Sequence, residues 1–130
     1  MSRLEPAAVW TRDLERLRAF YETHFGGQAG AKYVNAQKQF EAYFLSFAGG
    51  ARLELMRRPG LAEGMPAGQP AVGLAHLAFA VGGPEAVDAL TDRLRAAGFQ
   101  IVDGPRRTGD GYYESVVLDP DGNRVEITAG

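Results

Sequence analysis

Arg52-Leu53-Glu54-Leu55 returns in altered form as Arg124-Val125-Glu126-Ile127, and the likeness extends in both directions. Phe44-Leu45-Ser46-Phe47-Ala48-Gly49-Gly50 aligns with Val116-Val117-Leu118-Asp119-Pro120-Asp121-Gly122 at the same offset. Upstream, Ala7-Ala8-Val9-Trp10-Thr11 and the amphipathic stretch behind it match Leu77-Ala78-Phe79-Ala80-Val81 and a second such stretch. The chain therefore reads as two copies of one unit, and an internal repeat outranks every other local signal for the fold. The repeat also sets His76 against Pro6, so one copy carries an imidazole where the other has no donor side chain.

Each copy predicts the order β-α-β-β-β. Val9 to Thr11 is a β-branched and aromatic run. Asp13 suits a helix N-cap, Leu14, Leu17, Phe20 and Tyr21 fall on one helical face, and Gly26-Gly27 ends the helix. Lys32 to Met56 reads as strands, with a polar break over Asn35 to Lys38 and a tight turn at Gly49-Gly50. In the second copy, Leu74 to Val81 predicts a strand. Pro84 opens a helix with an apolar stripe of Val87, Leu90, Leu94 and Ala97, which Gly98 closes. Phe99 to Val102, Tyr112 to Leu118 and Arg124 to Thr128 supply three more strands, the last two joined by the turn Asp119-Pro120-Asp121-Gly122-Asn123. Pro59 to Gly73, rich in Gly, Pro and Ala, is a linker and a candidate flap over a site. The expected organisation is one α+β domain over residues 1–130, with a first module at about 4–58 and a second at about 74–130.

At 130 residues and 45% hydrophobic content the chain is long enough for a real core. A net charge of −2 with scattered basic residues speaks against nucleic acid and membrane surfaces as partners. No run approaches a transmembrane length and the N-terminus lacks a signal-peptide core, which predicts a cytoplasmic protein. The absence of cysteine excludes disulfides and thiolate metal sites.

Alternation along the strands sorts the side chains. Ala7, Val9 and Thr11 should face the first helix, leaving Pro6, Ala8 and Trp10 on the other side; Leu77, Phe79 and Val81 face the second, leaving His76, Ala78 and Ala80 opposite. Leu53, Leu55, Val125 and Ile127 are core positions, so Glu54 and Glu126, with Arg52 and Arg124 beside them, lie on the face away from the helices. Two carboxylates buried together are costly unless a positive charge compensates. A divalent cation held by Glu54, His76 and Glu126 is one solution. Ion pairs from Arg52 and Arg124 to the glutamates are the other.

At these residues the chain resembles the vicinal oxygen chelate superfamily, which includes glyoxalase I, fosfomycin-resistance proteins, extradiol dioxygenases, methylmalonyl-CoA epimerase and bleomycin-resistance proteins. The resemblance is carried by the run from Arg12 to Tyr21, by Gly73 to Phe79, and by Leu118-Asp119-Pro120-Asp121-Gly122-Asn123-Arg124-Val125-Glu126. It implies two βαβββ modules forming a curved mixed sheet around a cavity, in a homodimer. It also implies metal ligands on the first and last strands of each module, so that Glu54, His76 and Glu126 match three ligand positions while Pro6 stands at the first. The cofactor implied is a divalent ion (nickel, zinc, manganese, iron or cobalt), or none at all because of Pro6.

The carboxylate at Glu54 brings the chain nearer to glyoxalase I and the epimerase than to members that rely on two histidines. The reading is a metal-dependent lyase or isomerase acting on a small carbonyl compound, with Glu126 and Glu54 as catalytic bases. Trp10, Arg52, Arg124 and Tyr113 are expected to line the substrate pocket, and Arg12 is a further candidate for an anionic tail. The alternative is a metal-free protein of the bleomycin-resistance type that sequesters an aromatic drug on Trp10 and neighbouring rings.

Overall fold

A computed structural model describes all residues 1–130. The chain divides into two compact units, Met1–Glu63 and Gly64–Gly130. In the first, the order is β1 (Ala7–Trp10), α1 (Leu14–Phe25), β2 (Gln28–Ala29), β3 (Tyr33–Asn35), β4 (Phe40–Ser46) and β5 (Leu53–Arg57). The second runs β6 (Leu77–Ala80), α2 (Pro84–Ala96), β7 (Ile101–Arg107), β8 (Tyr113–Leu118) and β9 (Arg124–Thr128).

Each unit holds one mixed sheet. The first has the order β1-β5-β4-β2, with β3 also paired to β4; the second is β6-β9-β8-β7. Only the outer pairs β1–β5 and β6–β9 are parallel. The two registers coincide in form: Ala8 pairs with Glu54 and Val9 with Leu55, while Ala78 pairs with Glu126 and Phe79 with Ile127. Two residues before Ala8 lies Pro6, and two before Ala78 lies His76. The repeat is thus real at the level of strand register, and so is its broken position.

Local chemistry explains the helices. The Asp13 carboxylate accepts from the Arg16 amide at 3.1 Å, and Gly26 closes α1 at φ 71°, a left-handed value that glycine adopts without strain. Pro84 begins α2, and Phe99 donates its amide to the Leu94 carbonyl as Gly98 turns the chain at φ 93°. Leu14, Leu17, Phe20 and Tyr21 are buried against Leu45, Leu53 and Leu55; Val87, Leu90 and Leu94 belong to the core that contains Val117, Val125 and Ile127. Each fully buried leucine stabilises by about 2 kcal/mol through removal of apolar surface from water. Tyr43 on β4 donates to Glu15 on α1, whose carboxylate also meets Lys32 at 3.2 Å. Burial alone would raise the Glu15 carboxyl, but the hydrogen bonds from Lys32 and Tyr43 outweigh it and hold it below the ordinary value.

Four expectations are corrected. Strand β6 starts at Leu77 rather than Leu74, because its partner β9 enters the sheet only at Arg124, after the Asp119–Asn123 turn. Ala97 is exposed, and Thr91 takes the remaining place in the buried stripe of α2. Strand β7 continues past Val102 to Arg107 through register shifts at Asp103 and Arg106, and it runs along the sheet edge, where Pro105 is tolerated. The two-residue β2 follows α1 without any sequence signal long enough to announce it. Residues 58 to 76 contain no helix or strand. Arg12 holds the start of this segment through Glu63 and the Leu61 carbonyl, and Arg124 reaches the Gly68 carbonyl near its middle. No helix is long and apolar enough to cross a membrane.

Candidate functional site

Strand β9 brings Glu126 between Ala78 of β6 and Val116 of β8, on the face opposite the buried Val125 and Ile127. His76, at the entry to β6, reaches the same place: its Nε2 lies 3.4 Å from Glu126 Oε2. The Glu126 side chain is 18% exposed and that of His76 39%. The pair is therefore sheltered yet open to a small ligand. Small residues, Ala78 and Ala80, leave the floor of this face low.

A second acid belongs to the group. Glu114 on β8 pairs in register with Thr128, one alternation from Val116 opposite Glu126, so it shares their face. Burial pushes the Glu114 carboxyl above the ordinary value, and a hydrogen bond from it to the Glu126 carboxyl, with that group's charge, adds to the rise. Sequence reasoning missed Glu114 because it worked from the repeat. The matching residue of the first unit, paired with Met56 as Glu114 is with Thr128, is the buried Ala42.

In the first unit Glu54 is half-buried on β5 between Ala8 and Phe44. Neither arginine of the repeated motif answers its glutamate. Arg52 donates from Nε to Glu5 at 2.7 Å and lays its guanidinium over the Phe44 ring at 4.6 Å. Arg124 donates to the Gly68 carbonyl at 3.4 Å. The ion-pair alternative is thereby corrected: Glu5, on the strand approach, captures Arg52 first. Arg12 is likewise taken, by Glu63 at 3.0 Å.

Trp10 stands two residues beyond Ala8 in β1, across from Met56, on the face of Glu54. It is 44% exposed, edge-on to Phe40 with ring centroids 6.2 Å apart, and covered on one side by Arg58 at 4.9 Å. Tyr113 is a correction. It alternates with Glu114 and so points to the helix side of the second sheet, where its hydroxyl donates to Asp88 of α2 at 2.6 Å. It lines a separate open cavity of about 350 Å³ with Pro84, Arg107 and Tyr112.

Whether these residues suit a metal ion is a matter of donor chemistry. Imidazole nitrogen and carboxylate oxygen bind divalent transition ions at roughly 2.0–2.2 Å, so two donors on one ion lie roughly 3–3.5 Å apart. The His76–Glu126 separation of 3.4 Å matches that spacing. Neither unit by itself gathers three or more His, Asp or Glu side chains in a metal-holding group. The second unit thus supplies a fitting pair of donors rather than a complete set.

A family model described as the Glyoxalase/Bleomycin resistance protein/Dioxygenase superfamily matches residues 3–127. The chain belongs to that superfamily. A curated relative, the uncharacterized protein YqjT of Bacillus subtilis (strain 168), is 39% identical over 61 residues, which is 45% of this chain and 48% of the relative. The chain thus spans about half the length of that relative. Among solved structures, the glyoxylase/bleomycin resistance protein/dioxygenase domain from Frankia sp. EAN1pec has a TM-score of 0.82 at 19% identity, covering 100% of this chain and 98% of that one. Lactoylglutathione lyase from Agrobacterium tumefaciens has a TM-score of 0.69 at 26% identity, covering 98% of this chain and 93% of the lyase. Superfamily membership and the α+β fold of two modules follow from these matches; at such identities a particular reaction does not.

Proposed function

We propose that this superfamily member is a glyoxalase I-like lyase or isomerase that uses a divalent metal ion to move a proton next to the carbonyl of a small substrate. The observation that carries the reading is the approach of His76 Nε2 to Glu126 Oε2 at 3.4 Å, on a face floored by alanine. His76 and Glu126 would hold the ion, with Glu54 as the third donor expected from the repeat. A bound divalent ion would polarise the substrate oxygens and favour loss of the neighbouring proton. Glu126 would accept that proton, and Glu114, which holds its own proton more tightly than an ordinary carboxyl, fixes the Glu126 carboxyl by a hydrogen bond. Glu54, its counterpart under the repeat, is the second base. A homodimer, as the resemblance implies, located in the cytoplasm, as the absence of a transmembrane run and signal-peptide core predicts, completes the proposal.

Metal analysis of protein purified without chelator tests it. About one equivalent of ion per chain should be found, and the affinity should fall by about tenfold or more in His76→Ala and in Glu126→Ala. Protein that takes up no Ni²⁺, Mn²⁺ or Zn²⁺ in titration calorimetry would sink the metal reading. A second reading is favoured by the half-exposed Trp10 between Arg58 and Phe40: a protein that captures a planar molecule without a metal. Binding of aromatic compounds by the metal-free protein, without turnover after metal is added, would select it.

A further inference from the structure

The first sheet carries a cation that nothing in the protein answers. Arg52 is paired with Glu5 and Arg12 with Glu63, but Arg58 meets no carboxylate and donates no hydrogen bond; its contact is the Trp10 ring at 4.9 Å. The stack orients the guanidinium and leaves its fork of donors free, the arrangement that suits bidentate capture of a carboxylate. Trp10 is itself 44% exposed and braced edge-on by Phe40, whose ring is braced in turn by Tyr33 at 6.0 Å. A planar ligand can therefore lie against a ring already held in place.

Position along the strand links this corner to Glu54. Glu54 and Met56 lie on the face of Trp10, and Arg58 continues the same alternation just beyond β5. Glu54 and Arg58 are thus separated by roughly 13 Å of strand, a gap that their long side chains shorten from both ends.

We propose that Arg58 and Trp10 form a recognition arm for substrates that carry a carboxylate on a planar aromatic body, with the carbonyl end directed toward Glu54. The assignment rests on the carbonyl-directed reading above and adds the substrate class to it. Charge complementarity selects an anion, because Arg58 has no acid to satisfy it. Ring geometry selects a flat body. Glu54 repels a second negative charge, so the end near it should be uncharged.

Trp10 is the single tryptophan of the chain, so its indole N–H resonance reports on this corner alone. The probes are 4-acetylbenzoate, which has carboxylate, ring and carbonyl, and its methyl ester, which lacks only the charge. Both are titrated into the full chain in EDTA with no metal added. The acid should shift the Trp10 signal saturably and bind at least about tenfold more tightly than the ester. Arg58→Gln should bring the acid down to the level of the ester and leave the ester unchanged, while Arg58→Lys should keep part of the difference. Equal binding of acid and ester, no binding of either, or an Arg58→Gln variant with unchanged affinity for the acid would each overturn the assignment. Because no metal is present, these outcomes do not depend on the His76–Glu126 pair. A protein that refuses metal but prefers the acid loses the catalytic reading and keeps the recognition arm.

Discussion

Gly104 shows how much one residue can demand of its neighbours. Its φ is +71°, and a Cβ placed there would lie 2.5 Å from the Glu114 carbonyl oxygen and 3.0 Å from Ser115 Cα. Both are backbone atoms of the neighbouring strand and cannot swing aside. Gly104→Ala should cost about 3 kcal/mol, combining left-handed strain with overpacking, and urea denaturation would show it as a lower midpoint. Gly109, with open space around it and no left-handed φ, is the control; Gly109→Ala should change stability by less than about 0.5 kcal/mol. A small loss at Gly104 would mean that the β7 irregularity is soft. The same position explains a misreading. The sequence reading ends the strand at Val102, before Gly104-Pro105. Only the ladder partner reveals a bulged edge strand that continues through it.

At the level of elements, α2 is fastened to β8 by two hydroxyls inside an otherwise apolar layer. Thr91 Oγ1 lies 2.6 Å from the Val87 carbonyl and 2.7 Å from Ser115 Oγ, and both residues are buried. The Thr91 hydrogen goes to the carbonyl, so Ser115 is the donor across the gap. Thr91→Val would leave the Ser115 hydroxyl unpaired and should cost about 1–3 kcal/mol, whereas adding Ser115→Ala should recover part of that loss. A double-mutant cycle by thermal unfolding measures the coupling; strictly additive losses would refute the link. Helical spacing from Val87 places Thr91 in the stripe, yet polarity hid it from a reading that looked for apolar residues. Its bond to the carbonyl one turn back is what makes burial tolerable. Glu114 was hidden for a different reason: its importance comes from Glu126 on the adjacent strand, and the corresponding residue Ala42 carries no chemistry.

For the molecule as a whole, the two units share one plan of helix and strands, the first with one strand more than the second, and the repeat is legible in the sequence at Glu54 and Glu126. The matching registers of β1–β5 and β6–β9 give that likeness a physical form, with Pro6 at the position His76 holds in the second unit. If the four positions serve one ion, Pro6→His should tighten metal binding by about tenfold or more, read by calorimetry against the parent protein. An unchanged affinity would mean that these positions do not meet at a metal. Legible in the sequence alone are the βαβββ order of the second unit, the buried face of α1, most of that of α2, and the candidate donors Glu54, His76 and Glu126. They are legible because amphipathic period and strand alternation are properties of the chain alone. Which polar groups find partners depends instead on how the chain packs. Glu5 takes Arg52, the Gly68 carbonyl takes Arg124, Asp88 accepts the Tyr113 hydroxyl, and Arg58 is left with Trp10. These choices depend on groups brought together from segments far apart in the sequence, and a pairing of that kind has no local signature.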